Sequence, residues 1–194
     1  MATRRRATAC SGLDPSAVGP DALSGVVVQT PLGWVGAVAR EGRILAMSLP
    51  MPTRDAAASA CGGDADFGRP DHLLASLGDD LRRYFAGESV DLGRYPVDLS
   101  QHPPFRRCAL LAARTIGYGE VRTYAWVAQR AGRPRGARAA GQAMSRNPIP
   151  LVIPCHRVVA TGGGLGGFGG GLTMKRALLA LEGIACDSRG VVDG

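Results

Sequence analysis

The chain has 194 residues, 45% of them apolar and 20% charged, enough for one large or two small folded units without covalent staples. No apolar stretch is long enough to span a bilayer, and five widely spaced cysteines with no CxxC pair argue against a disulfide framework or a cysteine-based zinc site. The formal charge of +7 is unevenly placed: ten arginines face twelve acids over residues 1–100, a balance of −2, but ten face a single acid, Glu120, over residues 101–160, a balance of +9.

Residues 1–23 carry three consecutive arginines with no apolar run behind them. They read as a basic, flexible arm rather than a secretion signal, and the expected compartment is the cytoplasm. From Ser24 to Pro50, short β-branched runs alternate with Pro-Leu-Gly and Arg-Glu-Gly-Arg turns, the pattern of a two- or three-stranded meander. Pro52 to Pro70 is small, polar and glycine-rich and is expected to be a loop. From Asp71 to Glu88, Leu73, Leu74, Leu77, Leu81, Tyr84 and Phe85 fall on helical spacing, with Asp71 as N-cap and Gly87 as the stop. Ser89 to Pro104 reads as an irregular linker. The fold class is therefore α/β, with a small antiparallel-sheet unit over residues 24–99.

A second, mainly helical unit is expected over residues 100–186, followed by a flexible tail over 187–194. Phe105 to Ile116 is its first helix. Thr123 caps a second helix that ends before Gly132, and Ala137 to Ser145 forms a third. Two short helices joined by a turn containing Gly and Pro make a helix-turn-helix pattern, winged-helix-like in its setting. The third helix sets Arg138 among Ala137, Ala139, Ala140 and Gly141, small residues that permit close approach to a neighbouring helix or to an external surface. The arginines around it suit a polyanionic partner, because guanidinium binds phosphates in bidentate fashion; an arginine-rich solvated surface is the alternative.

Pro148, Pro150 and Pro154 exclude a regular helix from the next stretch, and Leu151 to Ile153 is expected as a short buried strand or extended segment. Eight of the thirteen residues from Ala160 to Leu172 are glycine, without the GxxxxGK[ST] order of a P-loop. A loop that folds over a flat ligand and donates backbone N–H groups fits, as does a flexible linker. The last helix runs from Thr173, its expected cap, to Gly183.

Between the expected strand and the glycine loop lies Cys155, followed by His156. A thiol attacks as the thiolate, which requires a base within reach and a third group to orient that base. Neighbours in an extended chain point to opposite sides, so adjacency alone does not put His156 on the sulfur; a turn at Pro154 or a bridging water would have to do so. Glu182, the only acid between Glu120 and Asp187, is the candidate for the orienting group. On residue types alone, a buried structural cysteine stays open beside the nucleophile. Cys10, Cys61, His72 and His102 are read as scattered, so no metal is expected.

The longer pattern narrows the choice. "NPIPLVIPCHRVV" (Asn147 to Val159), the glycine loop and "GGLTMKRALLALEG" (Gly170 to Gly183) closely resemble the active-site signature of the O6-alkylguanine-DNA alkyltransferases, also called methylated-DNA–protein-cysteine methyltransferases. The likeness extends upstream through "YGEVRTYAWVAQRAG" and "ARAAGQAMSRNP", so that it covers Phe105 to Gly183, and more loosely into "TPLGWVGAV" and "LRRYFAGE". The resemblance implies that Cys155 accepts the alkyl group, that His156 takes its proton through a water, and that Glu182 holds the histidine. It assigns Asn147 to bracing the turn, Tyr124 to the purine N3 and the target phosphate, and Lys175 to a less defined place near the reaction centre. Tyr124, Met144, Val158, Phe168, Gly169 and Gly170 would wall the guanine pocket. Arg138 would enter the duplex where the flipped nucleotide was, with Thr123, Tyr124, Arg133, Arg135, Ala137, Gly141, Gln142 and Ser145 as the other DNA contacts.

The implied function is direct-reversal repair of double-stranded DNA carrying O6-alkylguanine, by a monomer acting once per molecule, without cofactor or membrane. Activity on O4-alkylthymine and cooperative assembly on DNA stay open. The chain departs from the family at Phe168, where many members have Tyr, at Gly169 in place of Ser, at Arg106 in place of a frequent Gln, and in lacking the usual Trp of the first helix of the second unit. Three rivals remain: a lesion-binding relative without repair activity, which would replace the cysteine; a cysteine hydrolase, which would not explain the arginine segment; and a plain DNA-binding regulator, which would not explain Cys155.

Overall fold

The meander is a three-stranded antiparallel sheet in the order β1–β2–β3, formed by Ser24–Thr30 (β1), Gly33–Arg40 (β2) and Arg43–Met47 (β3). The computed structural model describes residues 23–187 and 189–192, so the arm expected at 1–23, apart from Leu23, and Cys10 within it lie outside the described residues. The central strand β2 is covered on both faces. Val35, Ala37 and Ala39 join the main core, whereas Val38 packs with Cys61 and Ala65 on the other side.

That second side corrects the expectation of a loop over Pro52 to Pro70. Arg54–Ala60 is a helix, α1, whose N-cap Thr53 accepts a hydrogen bond from the Ala56 N–H. Its run of alanines is too weakly apolar to show a periodic face in sequence, but small residues are what close contact with β2 requires. A Cβ built on Gly36 of β2 would lie 2.5 Å from the Ala57 carbonyl oxygen.

The next helix, α2 (His72–Phe85), forms as its spacing predicts. The Asp71 side chain accepts from the Leu74 N–H at 2.8 Å, and Gly87 adopts φ +89° after the helix ends. Leu74, Leu77, Leu81 and Tyr84 are fully buried beneath the sheet. The expected irregular linker is also tied down: Ile44 of β3 donates to the Pro96 carbonyl and accepts from the Asp98 N–H, both at 2.9 Å. Val90, Leu92, Tyr95 and Leu99 are buried, so this segment closes the edge of β3 and carries part of the core.

Pro104–Arg114 (α3), Tyr124–Arg130 (α4), Ala137–Ser145 (α5) and Gly171–Leu181 (α6) make up most of the second half. Thr123 caps α4 by accepting from the Trp126 N–H. A two-residue strand, Arg122–Thr123 (β4), runs parallel to Val158–Val159 (β5). Three expectations need correction here. Leu151 to Ile153 is buried as foreseen but is a turn, with Leu151 at φ 72° and Pro150 bridged to Ile153. Prolines at 148, 150 and 154 prevent the regular pairing a strand needs. The last helix starts at Gly171 with Gly170 as its cap, so Thr173 lies inside it. The segment expected as a tail folds back: the Val192 N–H donates to the Gly163 carbonyl at 3.0 Å, and Val192 is buried with Val159, Leu165 and Leu179. The glycine loop leaves backbone groups that need partners, and this segment supplies some of them.

A single core cluster runs across the boundary at residues 99 and 100, joining Leu81 and Tyr84 to Leu110, Ile153 and Leu178. The Met47 N–H also donates to the Pro148 carbonyl across it. Because Gly36 meets backbone rather than a movable side chain, Gly36→Ala should displace α1 and lower stability by about 1–3 kcal/mol, read as a fall in the thermal or urea midpoint.

Candidate active site

The site begins with the turn from Asn147 to Ile153. Asn147 donates through Nδ2 to the Ile153 carbonyl at 2.7 Å and accepts at Oδ1 from the Ile149 N–H at 3.1 Å. One side chain thus closes the loop from within and delivers Pro154 and Cys155 at a fixed angle. Cys155, His156 and Arg157 form a single 3₁₀ turn, all buried. The turn replaces the opposite-facing arrangement of an extended chain, so the adjacency of Cys155 and His156 acquires chemical meaning only here.

His156 is 1% exposed, and its Nε2 lies 2.8 Å from Oε1 of Glu182. Its Nδ1 has no hydrogen-bond partner and is the one such buried side-chain atom among the described residues. No direct hydrogen bond therefore joins this ring to the Cys155 sulfur. Burial pushes the His156 pKa down, against the pull of Glu182, so the resting imidazole is neutral, with Nε2–H donated to the carboxylate and Nδ1 left as an acceptor. Burial also raises the Cys155 thiol pKa, while a hydrogen bond from Asn147 and the charge of Lys175 work to lower it. The resting pair is thiol and neutral imidazole.

Glu182 caps the C-terminus of α6, the end of a helix where a carboxylate is disfavoured by the helix dipole. It is held there by an unusual number of donors. Arg157 gives Nε to Oε2 at 2.8 Å and Nη2 to Oε1 at 2.9 Å, while its Nη1 reaches the Ile116 carbonyl at 2.6 Å. The Tyr84 hydroxyl donates to Oε1 at 2.6 Å, and the Gly119 N–H approaches Oε2 at 3.4 Å. Arg157 and Tyr84 were assigned no role from sequence. The signal for Arg157 was available in principle: a lone buried acid beside a neutral base needs a permanent counter-charge. Tyr84 left no such signal, because its position fits a core helix equally well.

Lys175 is fully buried, and its Nζ donates to the carbonyls of Val158, at 2.5 Å, and Leu165. It clamps β5 to the glycine loop. Burial lowers its pKa to about 8, against the attraction of Cys155 and Cys186. The loop then passes Tyr124, whose hydroxyl donates to the Gly167 carbonyl at 3.1 Å. Gly166, at φ +64°, has no room for a side chain there: a Cβ would lie 2.8 Å from the Tyr124 ring.

Outside this layer is a cleft of about 540 Å³ lined by Tyr124, Ala125, Ala137, Arg138, Gly141, Gln142, Ser145, Ala160, Thr161 and Gly167. Positions 137, 138, 141, 142 and 145 share one face of α5 by helical spacing, so the structure brings these candidates together with Tyr124. Arg138 is exposed. Arg133 and Arg135 lie in the exposed turn between α4 and α5 and line a neighbouring depression. Met144 and Val158 are buried in the core, Phe168 is half-buried, and Gly169 and Gly170 are exposed. No group of three or more His, Cys, Asp or Glu side chains among the described residues is placed to hold a metal.

Residues 104–184 match the family described as the DNA-binding domain of 6-O-methylguanine DNA methyltransferase. A methylated-DNA–protein-cysteine methyltransferase of Mycolicibacterium paratuberculosis is 46% identical over 110 residues, 56% of this chain and 65% of that protein, so the match spans a little under two thirds of that relative's length. One of Saccharolobus islandicus is 41% identical over 60% of this chain and 74% of its own. Among solved structures, Mycobacterium tuberculosis O6-methylguanine methyltransferase superposes at TM-score 0.65 with 32% identity, covering 88% of this chain and 96% of that one. The same organism's OGT in complex with DNA gives 0.66 with 33% identity over 82% and 92%. The mixed α/β arrangement of a small antiparallel sheet and helices is shared with these structures.

Glu182 is held at about 2, well below its ordinary 4.5: burial opposes its ionisation, but the hydrogen bonds from His156 and Arg157 and the Arg157 charge outweigh it. A carboxylate depressed in the folded state stabilises the fold above its unfolded pKa and loses that contribution as pH falls through the folded value. Urea midpoints should therefore drop between about pH 4.5 and 2. Glu182→Gln should flatten this part of the profile and start lower by about 3–5 kcal/mol, because Arg157 is left buried without a counter-charge.

Proposed function

The chain belongs to the methylated-DNA–protein-cysteine methyltransferase family, and on that premise we propose that it carries out direct-reversal DNA repair, moving a methyl or other small alkyl group from O6 of guanine in double-stranded DNA to Cys155. The observation that carries this reading is the unpartnered Nδ1 of His156, the residue that follows the buried Cys155 in the same 3₁₀ turn, with the other ring nitrogen committed to Glu182. A base with one free acceptor, oriented by an ionised acid, is what a buried thiol needs to become a nucleophile.

The reaction is a displacement at an sp³ carbon. The thiol proton passes through a water to Nδ1 of His156, the S–C bond forms, and the C–O6 bond breaks. Guanine leaves with the electron pair and is protonated, so the net proton moves from sulfur to the purine. Burial raises the Tyr124 pKa, keeping its hydroxyl protonated and able to donate to N3, while backbone N–H groups of the glycine loop face the developing charge on O6. Lys175, clamped beneath that loop, supplies a positive charge in reach of the thiolate. Asn147 braces the turn, and Met144, Val158, Phe168, Gly169 and Gly170 complete the pocket. Phe168 and Gly169 remove two side-chain hydroxyls, which bears on the range of alkyl groups accepted. A thioether is a poor leaving group, so each molecule acts once.

The target atom lies inside the duplex, so the nucleotide must be flipped out at a cost of a few kcal/mol. In this reading α4, its turn and α5 act as a helix-turn-helix within a DNA-binding unit over residues 100–186. Ala137 and Gly141 let α5 approach the minor groove, and Arg138 fills the space left in the stack. Thr123, Arg133, Arg135, Gln142 and Ser145 would meet the backbone. O4-alkylthymine presents a similar alkoxy carbon and is the natural second substrate to assay.

Incubation with duplex containing O6-methylguanine should raise the intact mass by roughly 14 Da, localised to Cys155 and absent in Cys155→Ser, as single-transfer nucleophilic chemistry requires. Lesion binding without a mass gain would instead favour a damage sensor. Arg138→Ala should slow transfer from duplex by roughly tenfold or more, the scale of losing a few kcal/mol of flipping support, while leaving reaction with free O6-benzylguanine near the wild-type rate. Equal slowing on both substrates would remove Arg138 from the flipping role.

A further inference from the structure

Tyr84 comes from α2 in the N-terminal half, 98 residues from Glu182, yet its hydroxyl lies 2.6 Å from Oε1 of that carboxylate and 3.5 Å from Nε2 of His156. We propose that Tyr84 is a positioning residue of the alkyl-transfer site, which moderates how strongly Glu182 draws on the His156 N–H and so makes the proton-accepting step depend on the docked N-terminal half. This rests on the reading of Cys155 and His156 as nucleophile and base.

Packing alone calls for a phenylalanine at this position. The ring is fully buried and meets Phe85 and Tyr118 edge-on, at centroid distances of 5.2 and 6.1 Å. A hydroxyl here costs desolvation unless it finds an acceptor. The acceptor it takes is already supplied: a carboxylate has about four lone-pair sites, and Arg157, His156 and Gly119 provide four other donors. The Tyr84 bond therefore does not rescue an unsatisfied acid. It shares Oε1 with His156 and Arg157 and draws charge from the atom that would otherwise bind His156 most strongly.

Burial, followed by the charge and hydrogen bond of Glu182, pushes the Tyr84 pKa far up, so the phenol stays a donor and takes no proton itself. The groups facing the pair from each packed element are Tyr84 on α2, Tyr118 in the loop after α3, Arg157 in the 3₁₀ turn beside Cys155, and Lys175 on α6. Of these, only Tyr84 comes from the N-terminal half. The helix that carries it is fixed by Leu74, Leu77 and Leu81, and by Asp80, which accepts from the Tyr95 hydroxyl at 2.8 Å and from Arg94 at 2.6 Å.

Loss of the hydroxyl concentrates negative charge on Oε1, so His156 should hold a proton more tightly. A protonated imidazole cannot accept from the thiol, so the acid limb of the rate profile should move to higher pH. The test compares the full-length wild type, Tyr84→Phe and Val38→Ala, the last a truncation in the separate cluster with Cys61 and Ala65 on the other face of β2. Two readouts are followed across pH: single-turnover transfer from duplex O6-methylguanine, and alkylation of Cys155 by iodoacetamide, localised by peptide mass. Tyr84→Phe should displace the acid limb upward in both, with transfer slowed about tenfold on the falling arm, the scale of one hydrogen bond to a charged group. Val38→Ala should lower the thermal midpoint and leave both limbs in place. A Tyr84→Phe profile that overlays wild type, or a displacement shared by Val38→Ala, overturns the proposal. If wild type accepts no alkyl group from DNA, the repair reading fails, while the iodoacetamide profile still decides the role of Tyr84.

Discussion

A carboxylate buried at the C-terminal end of α6 should be unstable there, because both burial and the helix dipole favour its neutral form. Glu182 is nevertheless ionised, because the hydrogen bond from His156 and the ion pair with Arg157 together outweigh both. Guanidinium is charged at any working pH and offers two parallel N–H groups, so the pair is neutral as a unit and leaves His156 free to be neutral as well. Remove that charge and the carboxylate keeps only neutral hydrogen bonds against its burial, which weakens both its ionisation and its hold on the His156 N–H. The same guanidinium reaches the Ile116 carbonyl, so the pair also ties the end of α6 to the segment after α3.

The rest of the site is arranged around that fixed point. Asn147 closes the turn that aims Cys155, and Lys175 pins β5 to the glycine loop through two carbonyls. The two clamps differ in kind. Asn147 uses neutral hydrogen bonds within a few residues of chain, whereas Lys175 commits a buried charge, at a desolvation cost visible in its lowered pKa. A buried ammonium with carbonyl partners holds the loop at a defined distance from β5, and its charge works to lower the Cys155 pKa.

The N-terminal half is joined to this machinery by more than a linker. The chain after α2 closes the edge of β3, Met47 bonds Pro148, and one apolar core runs from β1 to α6. Through Tyr84, the same half reaches the acid that orients the proposed base. A mutation beneath the sheet can therefore be felt at Cys155 without touching the cleft, since close-packed interiors transmit displacement rather than absorb it.

Local signals placed most of the helices, though not the start of α6, whose cap is Gly170 rather than Thr173. Asp71 and Thr123 cap their helices because an N-cap is a matter of three neighbouring residues, and α2 shows its leucine stripe because one face meets the sheet. Local signals failed at α1, whose alanines carry no periodicity, and at Leu151–Ile153, where apolar composition indicates burial but not the turn that three prolines impose. The sequence by itself determined the meander and most of the helices, the basic second half, and Cys155, His156 and Glu182 as candidates, since these rest on residue type, local pattern and the family resemblance. Only the tertiary structure decided that Glu182 is ionised, that one nitrogen of His156 is left open, and that Arg157 and Tyr84 belong to the same cluster. Charge state and tautomer depend on burial and on partners brought together across as many as 98 residues of chain, and no local pattern encodes either.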